Sequence, residues 1–267
     1  VTVLITPDQV PPGAVLLDVR WALGSTTGRD DYLAGHLPGA VFVDLETELA
    51  AHGSASEGRH PLPSVQALQS AARRWGLDPG SRVVVYDATG GLAAARAWWL
   101  LRWGGLRDVA ILDGGLAAWS GELETGDVVP TPGTVTLTGG GMPVLTADEA
   151  AALAAGAGVL LDARAAERYR GEVEPVDPRA GHVPGAVSAP TADNLQNGRF
   201  RTAAALRERF AALGVTPGTT VGVYCGSGVT AAHEVAALAE AGIEAALWPG
   251  SWSQWSNDPD RPVATGP

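Results

Sequence analysis

Of the 267 residues in this chain only one is a cysteine, Cys225, and it lies in the run Tyr224 to Ala232 (YCGSGVTAA), where an apolar stretch gives way to an alanine-rich one. The stretch before it, Thr220 to Tyr224 (TVGVY), is short, β-branched and preceded by the turn signal Pro217-Gly218, so it reads as a buried strand. The stretch after it, Thr230 to Ala241, reads as a helix. Between them Gly226, Ser227 and Gly228 let the backbone curl tightly, so that successive N–H groups can point at the sulfur. That sulfur faces a helix N-terminus, where aligned peptide dipoles favour negative charge, and the thiolate is the nucleophilic form of cysteine. A lone cysteine without context is usually a small buried hydrophobe. Strand, glycine-rich loop and helix start together point instead to a nucleophile.

The elements that must position this loop come in a pattern written twice. Val15 to Arg20 (VLLDVR) returns as Val159 to Arg164 (VLLDAR), and Gly35 to Val41 (GHLPGAV) returns as Gly181 to Val187 (GHVPGAV). Val83 to Asp87 (VVVYD) matches Val221 to Cys225 (VGVYC), and Leu112 to Trp119 matches Trp248 to Trp255. Two homologous domains are expected, 1–125 and 144–267, joined by a proline-, glycine- and threonine-rich linker at 126–143. In each, short apolar strands alternate with amphipathic stretches such as Ser64 to Trp75 and Thr202 to Leu213, the signature of an α/β fold with a mostly parallel sheet and helices on both faces. Ligands of such sheets bind beyond the carboxyl ends of the strands, where Cys225 is placed. The first copy carries Asp87 in place of the cysteine and is expected to be catalytically silent, though it could supply one wall of the site. Most of the tryptophans read as core, with Trp252 the candidate for lining the pocket.

Composition narrows the function classes. A net charge of -11 argues against nucleic acid or an anionic membrane as partner, so an anionic substrate needs a local positive patch. One cysteine allows neither an internal disulfide nor a four-thiolate zinc site, and His36, His52, His60, His182 and His233 show no ligand spacing, so no metal is expected. No stretch has the length of a membrane span and the N-terminal residues do not read as a secretion signal, so a cytoplasmic location is expected. A cysteine phosphatase would need an arginine six residues beyond the nucleophile, where this chain has Ala231. A non-catalytic sulfur-carrier or interaction module is the alternative from another class.

On these residues the chain resembles the tandem-domain rhodanese sulfurtransferases along nearly its whole length: two GHxPGA segments, two DxR segments, a first loop without cysteine and a second reading CGSGVTA. The residues after the cysteine resemble the 3-mercaptopyruvate branch, since the thiosulfate branch typically has basic residues where Gly226 and Ser227 stand. The resemblance implies a small-molecule sulfur donor, a persulfide on Cys225 held by the N–H groups of Gly226, Gly228, Val229 and Thr230, a thiol acceptor such as thioredoxin, and chemistry that needs no cofactor. It implies a donor-carboxylate role for Arg168. Arg179 is the candidate for a second such arginine, at a spacing that departs from the family's. Ser227 matches a serine that forms a relay with a first-domain histidine and aspartate, for which His36 and Asp30 (or Asp31) are the matching choices. Pro249 stands where a related pattern has aspartate.

Overall fold

Two compact units divide the chain in the computed structural model, which describes residues 2–267. One runs to Ala51 and resumes over Leu62–Met142; the other takes His52–Pro61 together with Pro143–Pro267. In the first, β1 (Leu4–Ile5), β2 (Val15–Asp18), β3 (Val41–Phe42), β4 (Val83–Tyr86) and β5 (Val109–Leu112) form a parallel sheet of order β1-β5-β4-β2-β3. It is flanked by α1 (Gly28–Ala34), α2 (Leu45–Glu48), α3 (Val65–Arg74) and α4 (Ala94–Trp103). In the second, β6 (Val159–Asp162), β7 (Val187–Ser188), a short antiparallel pair β8 (Leu195–Gln196) and β9 (Arg199–Phe200), β10 (Val221–Tyr224) and β11 (Ala246–Leu247) alternate with helices. The parallel sheet has the order β11-β10-β6-β7, and the helices are α5 (Ala147–Ala155), α6 (Ala166–Tyr169), α7 (Ala203–Ala212), α8 (Thr230–Glu240) and α9 (Ser251–Asn257). The β4 and β10 strands, buried at every position, are the near-continuous apolar runs that a sheet covered on both faces requires. Helices α3 and α7 start at capping hydroxyls: Ser64 Oγ accepts from the Ala67 N–H (3.1 Å) and Thr202 Oγ1 from the Ala205 N–H (3.3 Å).

The repeated motifs repeat their contacts. Arg164 grips Asp162 (Nη2 to Oδ2, 2.6 Å) and donates to the Gly181 carbonyl (2.7 Å), while Arg20 pairs with Asp18 and donates to the Gly35 carbonyl (2.8 Å). The hydroxyls of Tyr224 and Tyr86, at the ends of β10 and β4, accept from the Val183 N–H (3.2 Å) and the Leu37 N–H (3.0 Å). In each unit the aspartate that ends one strand, the arginine two residues on and the tyrosine of the paired strand therefore fix the same His-x-Pro-Gly turn.

Two stretches depart from the expected boundaries. The 126–142 stretch groups with the first unit and is bonded onto it: the Gly133 N–H donates to the Arg73 carbonyl (2.8 Å) and the Val135 N–H to that of Leu77 (3.0 Å), with Val135 and Leu137 buried. Alternating apolar residues there dock it on the helix α3 side. The other is His52–Pro61, which groups with the second unit although its neighbours in sequence on both sides belong to the first. No helix among the described residues is long and apolar enough to cross a membrane.

Candidate active site

The cysteine loop leaves β10 at Tyr224 and enters α8 at Thr230, as the apolar and alanine-rich runs on either side dictate. Cys225 is buried, its N–H donates to Ser251 Oγ (3.1 Å), and its carbonyl accepts from the Trp252 N–H (3.0 Å). The Gly226 carbonyl accepts from the Ser253 N–H (2.8 Å), so the start of α9 braces the loop from outside. Gly228 has φ +80°, and a Cβ on it would stand 2.4 Å from the Pro249 carbonyl oxygen, so only glycine fits. This tight turn brings the Gly228 N–H to 3.1 Å from Cys225 Sγ. Val229 is buried at the N-cap of α8 and Thr230 opens the helix.

The first unit shows what this type of loop does with negative charge. Asp87 Oδ1 accepts from the N–H groups of Thr89 (2.8 Å) and Gly91 (2.8 Å), and Oδ2 from those of Ala93 (2.8 Å) and Ala94 (3.0 Å). A carboxylate thus fills the nest that the repeat places at Cys225 in the other copy. Asp87→Ala should leave those buried donors unsatisfied and destabilise the first unit by at least about 1–3 kcal/mol in denaturant unfolding. Persulfide formation at Cys225 should persist, and its collapse in a folded variant would give Asp87 a part in the chemistry.

The structure gives Ser227 a histidine, and it is His60: Nδ1 lies 2.7 Å from Ser227 Oγ, with both residues buried. His36 is engaged elsewhere. Its Nδ1 donates to the Tyr32 carbonyl (2.9 Å), its ring stacks on that of Tyr32 (4.1 Å), and its backbone bridges to Glu124. His182 repeats each contact, donating from Nδ1 to the Tyr169 carbonyl (2.8 Å), stacking on Tyr169 (3.7 Å) and bridging to Ala264. The matched sequence positions therefore make matched turns, and the histidine beside Ser227 is His60 rather than the expected His36. Asp30 and Asp31 are both exposed on α1, and Asp31 accepts from Thr27 Oγ1 (2.9 Å), so neither holds an imidazole.

Arg168 stands at the cysteine loop. It holds Glu174 (Nη2 to Oε1, 2.7 Å) and Asp177 (Nη2 to Oδ2, 3.3 Å), and its Nη1 lies 3.4 Å from where a Cβ on Gly226 would sit. Arg179 does not join it. Its Nε donates to the Ser256 carbonyl (2.9 Å), Nη1 to that of Arg261 (2.8 Å), and Nη2 to those of Trp255 (2.8 Å) and Asp258 (2.5 Å), so the guanidinium is spent capping the end of α9. Trp252 is fully buried, donates to the Arg179 carbonyl (2.9 Å) and lies under the Arg164 guanidinium, which makes it core. Arg59, unremarked in the sequence, pairs with Asp177 and reaches the same loop. Burial pushes the Asp177 carboxyl above the usual range, opposed chiefly by the charge of Arg59. His60 and Arg59 both sit in the stretch between Val41 and Ser64, which is longer than its counterpart between Val187 and Thr202; that excess length was the available signal.

A parallel sheet ending in a cysteine loop is thus built twice in the chain, with an aspartate in the cysteine's place in the first copy. A rhodanese-like domain profile matches residues 7–122 and again 146–258. SseB of Mycobacterium tuberculosis, provisionally named a thiosulfate sulfurtransferase, is 52% identical over 260 residues, covering 94% of this chain and 90% of that protein. A Pseudomonas aeruginosa protein provisionally named a 3-mercaptopyruvate sulfurtransferase is 47% identical over 269 residues, covering 96% and 93%. The crystal structure of SseA from Escherichia coli, described with the rhodanese fold and mechanism of 3-mercaptopyruvate sulfotransferases, superposes with a TM-score of 0.84 at 32% identity, covering 94% of this chain and 99% of that one. The chain belongs to the rhodanese family and is a sulfurtransferase.

Proposed function

We propose that the chain takes sulfur from 3-mercaptopyruvate, holds it as a persulfide on Cys225, releases pyruvate, and passes the outer sulfur to a thiol acceptor of the thioredoxin type, or to cyanide in vitro. The observation that carries this reading is the contact between Ser227 and His60 beside the nucleophile. The Cys225 thiolate attacks the donor sulfur; the carbon–sulfur bond breaks and its electron pair leaves on carbon as the enolate of pyruvate. The donor's thiol proton must come off sulfur and a proton must reach that carbon, so the net change is thiolate plus mercaptopyruvate to persulfide anion plus pyruvate. A hydroxyl–imidazole pair can take and return a proton by exchanging donor and acceptor roles. Thiosulfate, whose leaving group is sulfite, asks for no such transfer. The acceptor then attacks the outer sulfur and restores the Cys225 thiolate, so the enzyme alternates between thiolate and persulfide forms and ping-pong kinetics follow.

Recognition of the donor falls to Arg168, whose guanidinium can take a carboxylate. Arg168→Ala should weaken donor recognition by about 1.5–3 kcal/mol, the range for a hydrogen bond to a charged group. The check is kcat/KM for the donor alongside discharge of preformed persulfide to cyanide. An equal loss in both half-reactions would make Arg168 structural.

Thiosulfate is the second reading, favoured by the name of the 52%-identical mycobacterial relative. Steady-state rates with both donors on one preparation decide between them: mercaptopyruvate should have the higher kcat/KM, and a higher value for thiosulfate would reverse the assignment.

A further inference from the structure

Arg59 is held over the nucleophile loop by contacts on both sides of it in sequence. Its N–H donates to Ser253 Oγ (3.1 Å), Gln254 Nε2 donates to the Ser56 carbonyl (2.9 Å), and the next residue, His60, meets Ser227 at 2.7 Å. Gly58 permits the approach: it has φ +90°, and a Cβ there would stand 2.6 Å from the Gly250 carbonyl oxygen. So anchored, the side chain brings Nη2 to 3.1 Å from the place a Cβ on Gly226 would occupy, on the same spot that Arg168 Nη1 approaches to 3.4 Å. Two guanidinium groups converge on the residue that follows the nucleophile, in a chain of net charge -11.

The donor groups of Arg59 are unevenly used. Nη1 is taken by Asp177, whereas Nε is buried without a hydrogen-bond partner. Nε and Nη2 form the planar edge that grips a carboxylate or another oxyanion side-on. A buried guanidinium N–H without an acceptor is costly, and the donor's anionic group is an acceptor of matching geometry. Asp177 has a positioning part, since its two oxygens bridge Arg59 and Arg168 and offset the repulsion of the paired cations.

We propose that Arg59, rather than Arg179, is the second guanidinium that binds the anionic group of the sulfur donor, working with Arg168 across the side-chain-free face of Gly226. The inference rests on the sulfurtransferase chemistry of Cys225 and extends it to donor specificity.

The test is single-turnover persulfide formation against donor concentration, with 3-mercaptopyruvate and with thiosulfate, in the wild type, Arg59→Ala, Arg59→Lys and Arg179→Ala, alongside thermal unfolding. Arg59→Ala should raise the half-saturating donor concentration about 10- to 100-fold, the range for losing a hydrogen bond to a charged group. Discharge of preformed persulfide to cyanide should change far less. Arg59→Lys, which keeps the charge but not the fork, should recover only part of the loss, and it carries the test if the alanine variant fails to fold. Arg179→Ala should lower the unfolding temperature without moving the donor dependence. A shift with mercaptopyruvate alone identifies a carboxylate as the bound group, and a shift with both donors identifies a general oxyanion site. Unchanged donor dependence in a folded Arg59 variant, or an equal shift in Arg179→Ala, overturns the proposal. A wild-type chain that forms no persulfide from either donor fails at the earlier step, the chemistry of Cys225 itself.

Discussion

Cys225→Ser should abolish sulfur transfer from any donor and should no longer gain the mass of one sulfur atom when mixed with it. No other cysteine exists in the 267 residues, so nothing else in the chain can hold sulfur as a persulfide. A serine hydroxyl is a far weaker nucleophile without a base to activate it. The fold should tolerate the change, because the loop is held by backbone contacts: the Cys225 N–H on Ser251 Oγ (3.1 Å) and the Trp252 and Ser253 N–H groups on the carbonyls of Cys225 and Gly226 (3.0 and 2.8 Å). Loss of activity with unchanged circular dichroism and unfolding temperature is the expected pair of results. Retained turnover would move the chemistry away from this loop altogether.

His60→Ala should slow persulfide formation from 3-mercaptopyruvate by up to about 10²–10⁴-fold, the range of general acid–base catalysis, and should slow the thiosulfate reaction less. Ser227→Ala should behave alike. Because the two side chains touch at 2.7 Å and act as one unit, the double variant should be no slower than the worse single variant by more than a small factor. His36→Ala is the contrast. It removes a buried hydrogen bond to the Tyr32 carbonyl and a ring stack, so it should lower stability and leave the single-turnover rate alone. His182→Ala should match it, since the contacts are the same. Equal rates in His60→Ala and wild type would dismiss the relay, and a rate loss in His36→Ala without loss of stability would restore the assignment made from sequence.

The features legible in the sequence were those carried by local pattern. The strand before Cys225 and the helix after it follow from a β-branched run, a glycine-rich turn and an alanine-rich run, and the observed bounds, Val221–Tyr224 and Thr230–Glu240, fall within a residue of the expected ones. The repeat showed that DxR and GHxPGA belong together, and the contacts of Arg20 and Arg164 with the glycines before each histidine give the physical reason. What pattern could not give was the set of partners brought together by tertiary placement. His60 lies 167 residues from Ser227 in a loop without periodicity, and tertiary contacts such as the packing of Gly58 against Gly250 and the bond from the Arg59 N–H to Ser253 Oγ set its place. His36 attracted the relay role because its motif is distinctive, yet the motif is distinctive for building a turn. Arg179 was misplaced for a related reason: an arginine near the expected spacing is as suited to capping the carbonyls at the end of α9 as to holding a substrate, and sequence does not say which way the side chain turns.

The central claim is tested most directly by intact-mass measurement of the purified chain mixed with 3-mercaptopyruvate alone, with pyruvate quantified in the same sample. One added sulfur per chain, mapped to Cys225, with pyruvate released in equal amount and at lower donor concentrations than thiosulfate requires, is the predicted result. Loading from thiosulfate only, loading without pyruvate, or loading that needs a second protein would contradict it.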